Sequence, residues 1–420
     1  MKVFKFGGAS INSVERIKNT AEILRLYEGE KILVIISAMG KTTNALEKLV
    51  NTFYAGKKEE ALQLFQQVKD AHLSTLKYLV TLNWRQAEDQ LKDFFTEVEW
   101  LLHDKPVREY DYYYDQVVCS GELMSTSLVS MYLNEAGIGN KWIDVRDIVR
   151  TDDNFRDASI DWNYTEQKIR TDIEPLFTES HIVITQGFIG STDENESTTL
   201  GREGSDFSAA IFANLLNAES QTIWKDVEGV MNADPKQFST AQYIDALSYR
   251  EVVEMAYYGA QVIHPKTIKP LQNKNIPLYV RCFLKPALPG TIISSKPVHG
   301  LPPVIVLKQH QVLMQLSSKD FSFVEEKPIS QLHEIFSQVK ISPNLSQNGA
   351  ISLSCVLDDQ PEKIEKLALA AESIFNVQLQ KGLTLLTIRH YDETTIEELT
   401  KGKTILLEQK SAETIQVLMA

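Results

Sequence analysis

One repeated unit constrains this chain most: a short apolar strand that ends in glycine and passes into a helix. Residues 3–6 run into Gly7-Gly8-Ala9-Ser10 and then into Val14, Ile17, Ala21 and Leu24, apolar positions at helical spacing. Residues 181–190 form another strand ending in glycines, and Leu200-Gly201-Arg202-Glu203-Gly204-Ser205-Asp206 opens the apolar helical run 207–216. Residues 117–125 read as a further unit, a short strand, Gly121 and a helix with Glu122 at its mouth. Strands alternating with helices specify an α/β fold around a parallel sheet. A glycine at the carboxyl end of such a strand lets backbone N–H groups approach an anion. Taken singly, each unit is equally a tight turn with a surface lysine or a first-turn carboxylate that suits the helix dipole.

The run 31–36 leads into Ser37 and then Gly40-Lys41-Thr42-Thr43, which invites a P-loop reading. That motif needs a glycine five positions before Gly40, where Ile35 stands, so the reading fails. Ser37 and Thr43 remain either ligand contacts at a strand end or loop caps. Residues 45–102 carry helical periodicity throughout, an all-helical insertion, and the aromatic run 110–115 reads as a packed connector. Residues 225–236 make a turn-rich rim with lysines, aspartates and a glycine. Residues 246–258 form an amphipathic helix stopped by Gly259. Five prolines within 286–303 mark a domain boundary. Beyond it, strands at 304–307, 311–316, 350–357 and 383–389 alternate with helices at 329–339 and 361–375.

With 420 residues the chain exceeds one ordinary domain. Its net charge of −13 opposes sequence-independent binding to nucleic acid, which requires a basic face. Cys119, Cys282 and Cys355 lie far apart and the eight histidines are dispersed, so neither a disulfide framework nor a transition-metal site is expected; His264, before Pro265, reads as structural. No segment has the apolar length of a signal peptide or a membrane span, and the expected location is the cytoplasm.

Six motifs occur in one order: K-F-G-G-A-S at 5–10, S-G-E-L-M-S-T at 120–126, T-Q-G-F-I-G at 185–190, L-G-R-E-G-S-D at 200–206, D-V-E-G-V with D-P-K within 226–236, and Y-G-A-Q-V-I-H-P at 258–265. Together they resemble the aspartate kinases, of the amino-acid kinase fold. The resemblance implies a carbamate-kinase-like three-layer α/β sandwich over 1–295 with the helical insertion at about 45–116. It further implies a linker at 296–303 and two small α+β ACT-like regulatory modules over 304–420, the second reduced because only a brief helix near Glu397 fits. The implied activity is ATP- and Mg2+-dependent phosphorylation of the L-aspartate side chain in a homodimer or higher homo-oligomer, with lysine or threonine as an effector at the tail.

Carried to matching positions, Lys5, Gly8 and Asp206 are catalytic, with Lys5, Gly7 and Gly8 on the transferring phosphoryl group. Ser37, Thr43, Glu122, Arg202 and Ser205 bind aspartate, Glu122 taking its ammonium and Arg202 a carboxylate. Lys225, Asp226, Met231, Lys236 and Gln261 line the nucleotide. No protein-only metal site is implied. Four of these positions depart from the family pattern, which has threonine at Lys225, tyrosine at Met231, arginine at Lys236 and lysine at Gln261. Lys225 is expected to compensate in part for the cation missing at Gln261. Glu203 is expected to point to solvent. A glutamate 5-kinase-like enzyme and a catalytically idle amino-acid sensor stand as alternatives.

Overall fold

A computed structural model describes residues 1–324 and 326–420. Internal packing divides the chain into two compact units. The first comprises Met1–Val230, Tyr243–Val253 and Val262–Val298; the second comprises Met231–Gln242, Glu254–Gln261 and His299–Ala420.

The first unit is built on an eight-stranded sheet. Across it run Ala246–Ser248, Thr291–Ser294, Leu278–Cys282, Ser220–Lys225, Lys2–Phe6, Ile32–Ile36, Ile182–Gln186 and Asn140–Trp142. From Leu278–Cys282 to Asn140–Trp142 every neighbour is parallel, whereas Thr291–Ser294 is antiparallel to Leu278–Cys282, and Ala246–Ser248, parallel to Thr291–Ser294, runs in the same reversed direction. Ile32–Ile36 is buried along its whole length, as a strand covered on both faces must be. Successive side chains alternate between faces. Phe4 therefore packs edge-on against Tyr27, just past the helix Val14–Arg25, whereas Lys5 on the opposite face meets the first turn of the helix Gly204–Leu215.

Several boundaries differ from the sequence reading. Residues 117–125 contain no strand: they lie inside one 26-residue helix, Tyr110–Glu135, so Glu122 sits mid-helix and the tyrosine run forms the first turns. Nearly all of 113–130 is buried, and a helix buried all round loses the 3.6-residue signal that would betray it. Gly121 permits this burial, since a Cβ there would stand 3.2 Å from both Ala38 Cβ and Leu46 Cδ1. The insertion consists of Thr42–Tyr54, Lys58–Leu79 and Trp84–Leu101, packed with the long helix. Residues 246–248 are an edge strand, and the helix begins only at Tyr249 after Ser248 Oγ accepts the Glu251 N–H. The proline-rich stretch holds the strand Thr291–Ser294 of the large sheet, so the first unit extends past Pro286 to Val298.

In the second unit a six-stranded antiparallel sheet runs in the order Leu345–Asn348, Ser352–Asp358, Val304–Ser318, Phe375–Arg389, Thr414–Met419 and Ile405–Lys410. The two central strands are 15 residues each and pair along their length, where shorter strands were expected. Their register slips between Lys308 and Leu313, next to His310 at φ 55°, a bulge that hides one strand as two in the sequence. One half packs the helices Glu326–Val339 and Pro361–Ala371 on a core including Val312, Leu332, Phe336 and Leu367. The other half has the eight-residue helix Glu393–Thr400, whose Ile396 and Leu399 cover Leu386, Ile388 and Val417.

Candidate active site

At the carboxyl ends of the central strands, a cavity of about 400 Å³ opens in the first unit. It gathers Lys5, Ser37, Thr43, Glu122, Arg202, Ser205 and Asp206. Gly201, Glu203 and Gly204 of the opening motif line it too, together with Tyr114, Arg156 and Phe188.

Lys5 Nζ stands 2.7 Å from Asp206 Oδ1, with both side chains largely buried. Burial pushes the Asp206 carboxyl up, but Lys5 and then Lys225 pull it further down, so it is held below the ordinary carboxylate range. Gly7 lies beside this pair, since a Cβ on it would sit 3.3 Å from Lys5 Nζ. Gly8 is pressed against the next loop: its carbonyl accepts the Gly40 N–H at 3.1 Å, and a Cβ would fall 2.7 Å from the Ala38 carbonyl oxygen.

Glu122 is fully enclosed. Its Oε1 accepts the Ala38 N–H at 3.3 Å, while Oε2 is buried without a hydrogen-bond partner. Burial raises its carboxyl to about 8, against the smaller opposing pull of the Ala38 N–H and Lys5. A buried acceptor left unmade is costly, and a ligand cation would relieve it. Arg202 contrasts with it: exposed, and in no ion pair among the described residues. Ser37 donates its N–H to Phe6 O at 3.1 Å, and its own carbonyl accepts from Ser125 Oγ at 2.7 Å, which ties the strand-end loop to the long helix. Thr43 lies in the first turn of Thr42–Tyr54, and Ser205 in that of Gly204–Leu215.

Residues 1–282 match the amino acid kinase family. Lysine-sensitive aspartokinase 3 of Escherichia coli (strain K12) is 30% identical over 396 residues, spanning 92% of this chain and 86% of that protein. The chain belongs to the amino acid kinase family, among the aspartokinases. A bifunctional aspartokinase/homoserine dehydrogenase 1 of Zea mays is 35% identical over 302 residues, or 71% of this chain, and the chain spans about a third of the length of such bifunctional relatives. Crystal structures of Escherichia coli aspartokinase III, in complex with aspartate and ADP and in complex with lysine and aspartate, each superpose with a TM-score of 0.82 at 27% identity. They cover all of this chain and 96% and 95% of theirs.

The remaining aspartokinase positions are split. Lys225 ends the strand Ser220–Lys225 and donates from Nζ to Val262 O at 2.9 Å; Asp226 follows it, exposed. Neither lines the cavity. Met231, Lys236 and Gln261 belong to the second unit, where the Lys236 N–H donates to Asp234 Oδ1 at 2.9 Å. Glu203 is exposed, as expected, but it is also tethered. Its Oε2 accepts the His264 N–H at 3.0 Å, and its backbone adopts φ 55° to let the helix start at Gly204. His264 in turn caps Pro265–Lys274, Nδ1 accepting the Lys266 N–H at 3.2 Å.

Three cavity residues escaped the sequence reading. Phe188 at φ 74° donates its N–H to Ser208 Oγ, and Tyr114, its hydroxyl pushed up to about 12 by burial, remains a proton donor. Arg156 also has a left-handed backbone, at φ 71°. A left-handed arginine in a polar loop leaves no periodic signal in sequence; for Phe188 the only clue was the T-Q-G-F-I-G motif itself. No helix among the described residues is long and apolar enough to cross a membrane.

Proposed function

We propose that the chain transfers the γ-phosphoryl group of ATP to the side-chain carboxylate of L-aspartate, giving 4-phospho-L-aspartate and ADP. The observation that carries this reading is the fully buried Glu122, one oxygen unpartnered, in the same cavity as Arg202 and the Lys5–Asp206 pair. An amino acid with a second carboxylate is the ligand whose charges complement that set. Glu122 receives the α-ammonium, which replaces the missing partner of Oε2, and Arg202 holds a carboxylate in its planar fork. Ser37, Thr43 and Ser205 donate or accept around the substrate backbone.

ATP would supply the phosphoryl group, and Mg2+ accompanying it would neutralise part of its charge. Lys5 and the backbone beside Gly7 and Gly8 fit that role: a fixed cation and glycines with no Cβ to bar a phosphate oxygen. Asp206 keeps Lys5 aimed, so the developing charge meets an oriented cation. Lys225, Asp226, Met231, Lys236 and Gln261 are the nucleotide-side positions of this reading. Phosphoryl transfer between two anions asks for positioning and neutralisation, and no covalent protein intermediate is required.

The C-terminal sheet, roughly 304–420, is read as two ACT-like modules, the second with one helix, that bind an effector amino acid and join two or more copies of the chain in the cytoplasm. The lysine-sensitive name of the Escherichia coli relative makes lysine the first effector to try, and threonine the second.

The test is incubation of the purified full chain with Mg-ATP and a panel of amino acids, with hydroxylamine trapping any acyl phosphate. Hydroxamate with aspartate alone is expected. Product with glutamate instead moves the reading to a glutamate 5-kinase-like enzyme, and no product at several magnesium levels favours a sensor. A flat activity response to lysine and threonine, separately and together, removes the regulatory part.

A further inference from the structure

The segment Glu254–Gln261 carries Gln261, a nucleotide-side position, yet it packs in the second unit with the C-terminal sheet. Arg389 and Lys308 of that sheet hold it. Arg389, almost wholly buried, stands with Nη1 3.5 Å from Glu254 Oε2 and donates from the same nitrogen to Thr414 Oγ1 at 2.9 Å. Lys308 meets the other end. A Cβ on Gly259 would fall 2.4 Å from Lys308 Cε and 3.3 Å from its Nζ, and Gly259 turns at φ 107°, so glycine alone lets the lysine stem lie against this backbone.

The Lys308 ammonium is seated in a built socket. Its Nζ donates to Asn344 Oδ1 at 2.7 Å. Asn344 Nδ2 donates to Gln311 Oε1 at 2.8 Å and to Asp358 Oδ1 at 2.9 Å, which uses both amide hydrogens and leaves the oxygen to accept from a cation. Gln311, buried, likewise spends its Nε2 on Asp358 Oδ1 at 2.9 Å and on Gln309 O at 3.1 Å. Burial pushes the Asp358 carboxyl up, but Gln311, Asn344 and Lys308 together draw it below its ordinary range. One carboxylate thus orients two amides and, through them, presents an acceptor to the ammonium. A polar network whose amides are all satisfied fixes geometry. The socket lies where the register of Val304–Ser318 against Phe375–Arg389 slips, between Lys308 and Gln311, and the bulge brings both side chains to one face.

We propose that Lys308 is a positioning residue for nucleotide binding, its ammonium anchored in the Asn344–Gln311–Asp358 socket and its stem setting the backbone of residues 258–261. This rests on the reading of Gln261 as a nucleotide-side position. Gln261 brings no charge of its own, so its contribution depends on where the segment places its amide. A lysine held at both ends of its stem sets that placement before the nucleotide arrives, and little freedom is left to lose on binding.

The test compares the full chain with Lys308→Ala and reads ADP affinity by calorimetry, which needs no turnover, beside steady-state KM values. Lys308→Ala removes the stem beyond Cβ together with the ammonium, and propylammonium is the fragment that restores them. The Kd for ADP and the KM for ATP are expected to rise about tenfold, the order of one charge-assisted contact, while kcat and the KM for aspartate change less than about twofold. Millimolar propylammonium chloride brings the Kd of the variant back toward that of the parent and leaves the parent unchanged; tetramethylammonium chloride, which has no N–H to give Asn344, does neither. Lys308→Met, which keeps the stem for folding and loses the ammonium, also raises the Kd. Parental ADP affinity in either folded variant overturns the proposal, as does a rise in Lys308→Ala that propylammonium leaves untouched or that the KM for aspartate shares equally. A parent that binds ADP but yields no hydroxamate with aspartate overturns the aspartate reading instead, and the Kd comparison still decides the role of Lys308.

Discussion

Lys5 Nζ and Asp206 Oδ1, 201 residues apart in sequence, meet at 2.7 Å across the sheet face and join the first strand to the first turn of Gly204–Leu215. Such a pair is more costly to break than to lack, because the orphaned charge stays buried. Asp206→Asn is expected to lower stability by about 3–5 kcal/mol in urea unfolding. It should also cut kcat by on the order of 10²–10³, as loss of one oriented electrostatic group does. The Asp206 carboxyl is depressed, so the stability it contributes is full above its ordinary value of 3.8 and is lost as pH falls below that. Acid unfolding of the parent and the variant should therefore converge below pH 3.8 and not above it.

Glu122 has the opposite sign. Its carboxyl is raised from 4.5 to about 8, so the folded state binds a proton that the unfolded state releases, and stability falls as pH climbs through that window. Receiving an ammonium requires the ionised form. The KM for aspartate is expected to rise up to tenfold per pH unit below about 8, and calorimetry in two buffers of different ionisation enthalpy should register proton release on binding. Glu122→Gln should raise KM and flatten that pH dependence; a profile as steep as the parent's would exclude Glu122 as the acceptor.

Lys225 Nζ spends one donor on Val262 O and still pulls down Asp206, so its charge reaches the carboxylate paired with Lys5. Lys225→Thr is expected to raise the KM for ATP about tenfold, the order of one charge-assisted contact, with the KM for aspartate unchanged. An unaltered ATP dependence would show that Lys225 does not stand in for the cation absent at Gln261.

Gly8→Ala tests close approach. The new methyl would lie 2.7 Å from Ala38 O and 2.8 Å from Gly40 O, both backbone atoms that cannot swing away. Overpacking of this kind costs about 1–3 kcal/mol. The displaced loop carries Ser37 and the Ala38 N–H that holds Glu122, so aspartate affinity should fall together with stability, and a urea midpoint with parallel KM measurements reads both.

How much of this was legible beforehand depends on the kind of signal. Lys5, Glu122, Arg202 and Asp206 were identified by motif, and the cavity gathers them. The element bearing Glu122 was misread, because Val117-Val118 on a helix buried all round is locally indistinguishable from a strand. Glu203 was placed at the surface, but its partner, a backbone N–H 61 residues away, is encoded by no local pattern. Arg156 depends on a left-handed backbone enforced by Asp115 from another element, a purely tertiary fact. In the tail, the strand Leu345–Asn348 was missed and the two central strands were truncated, since register irregularities break the alternation on which strand length is judged.

The two 15-residue strands of the C-terminal sheet run through both of its halves: Val304 pairs with Arg389 at one end and Ser318 with Phe375 at the other. The halves are therefore not beads that a gene could lose one at a time. A chain cut short near Gly382 would keep its first half but strip Val304–Lys308 of its ladder partner, baring a raw edge that invites another molecule to pair. The reduced second half, small as it is, is the selvage that keeps the cloth from fraying.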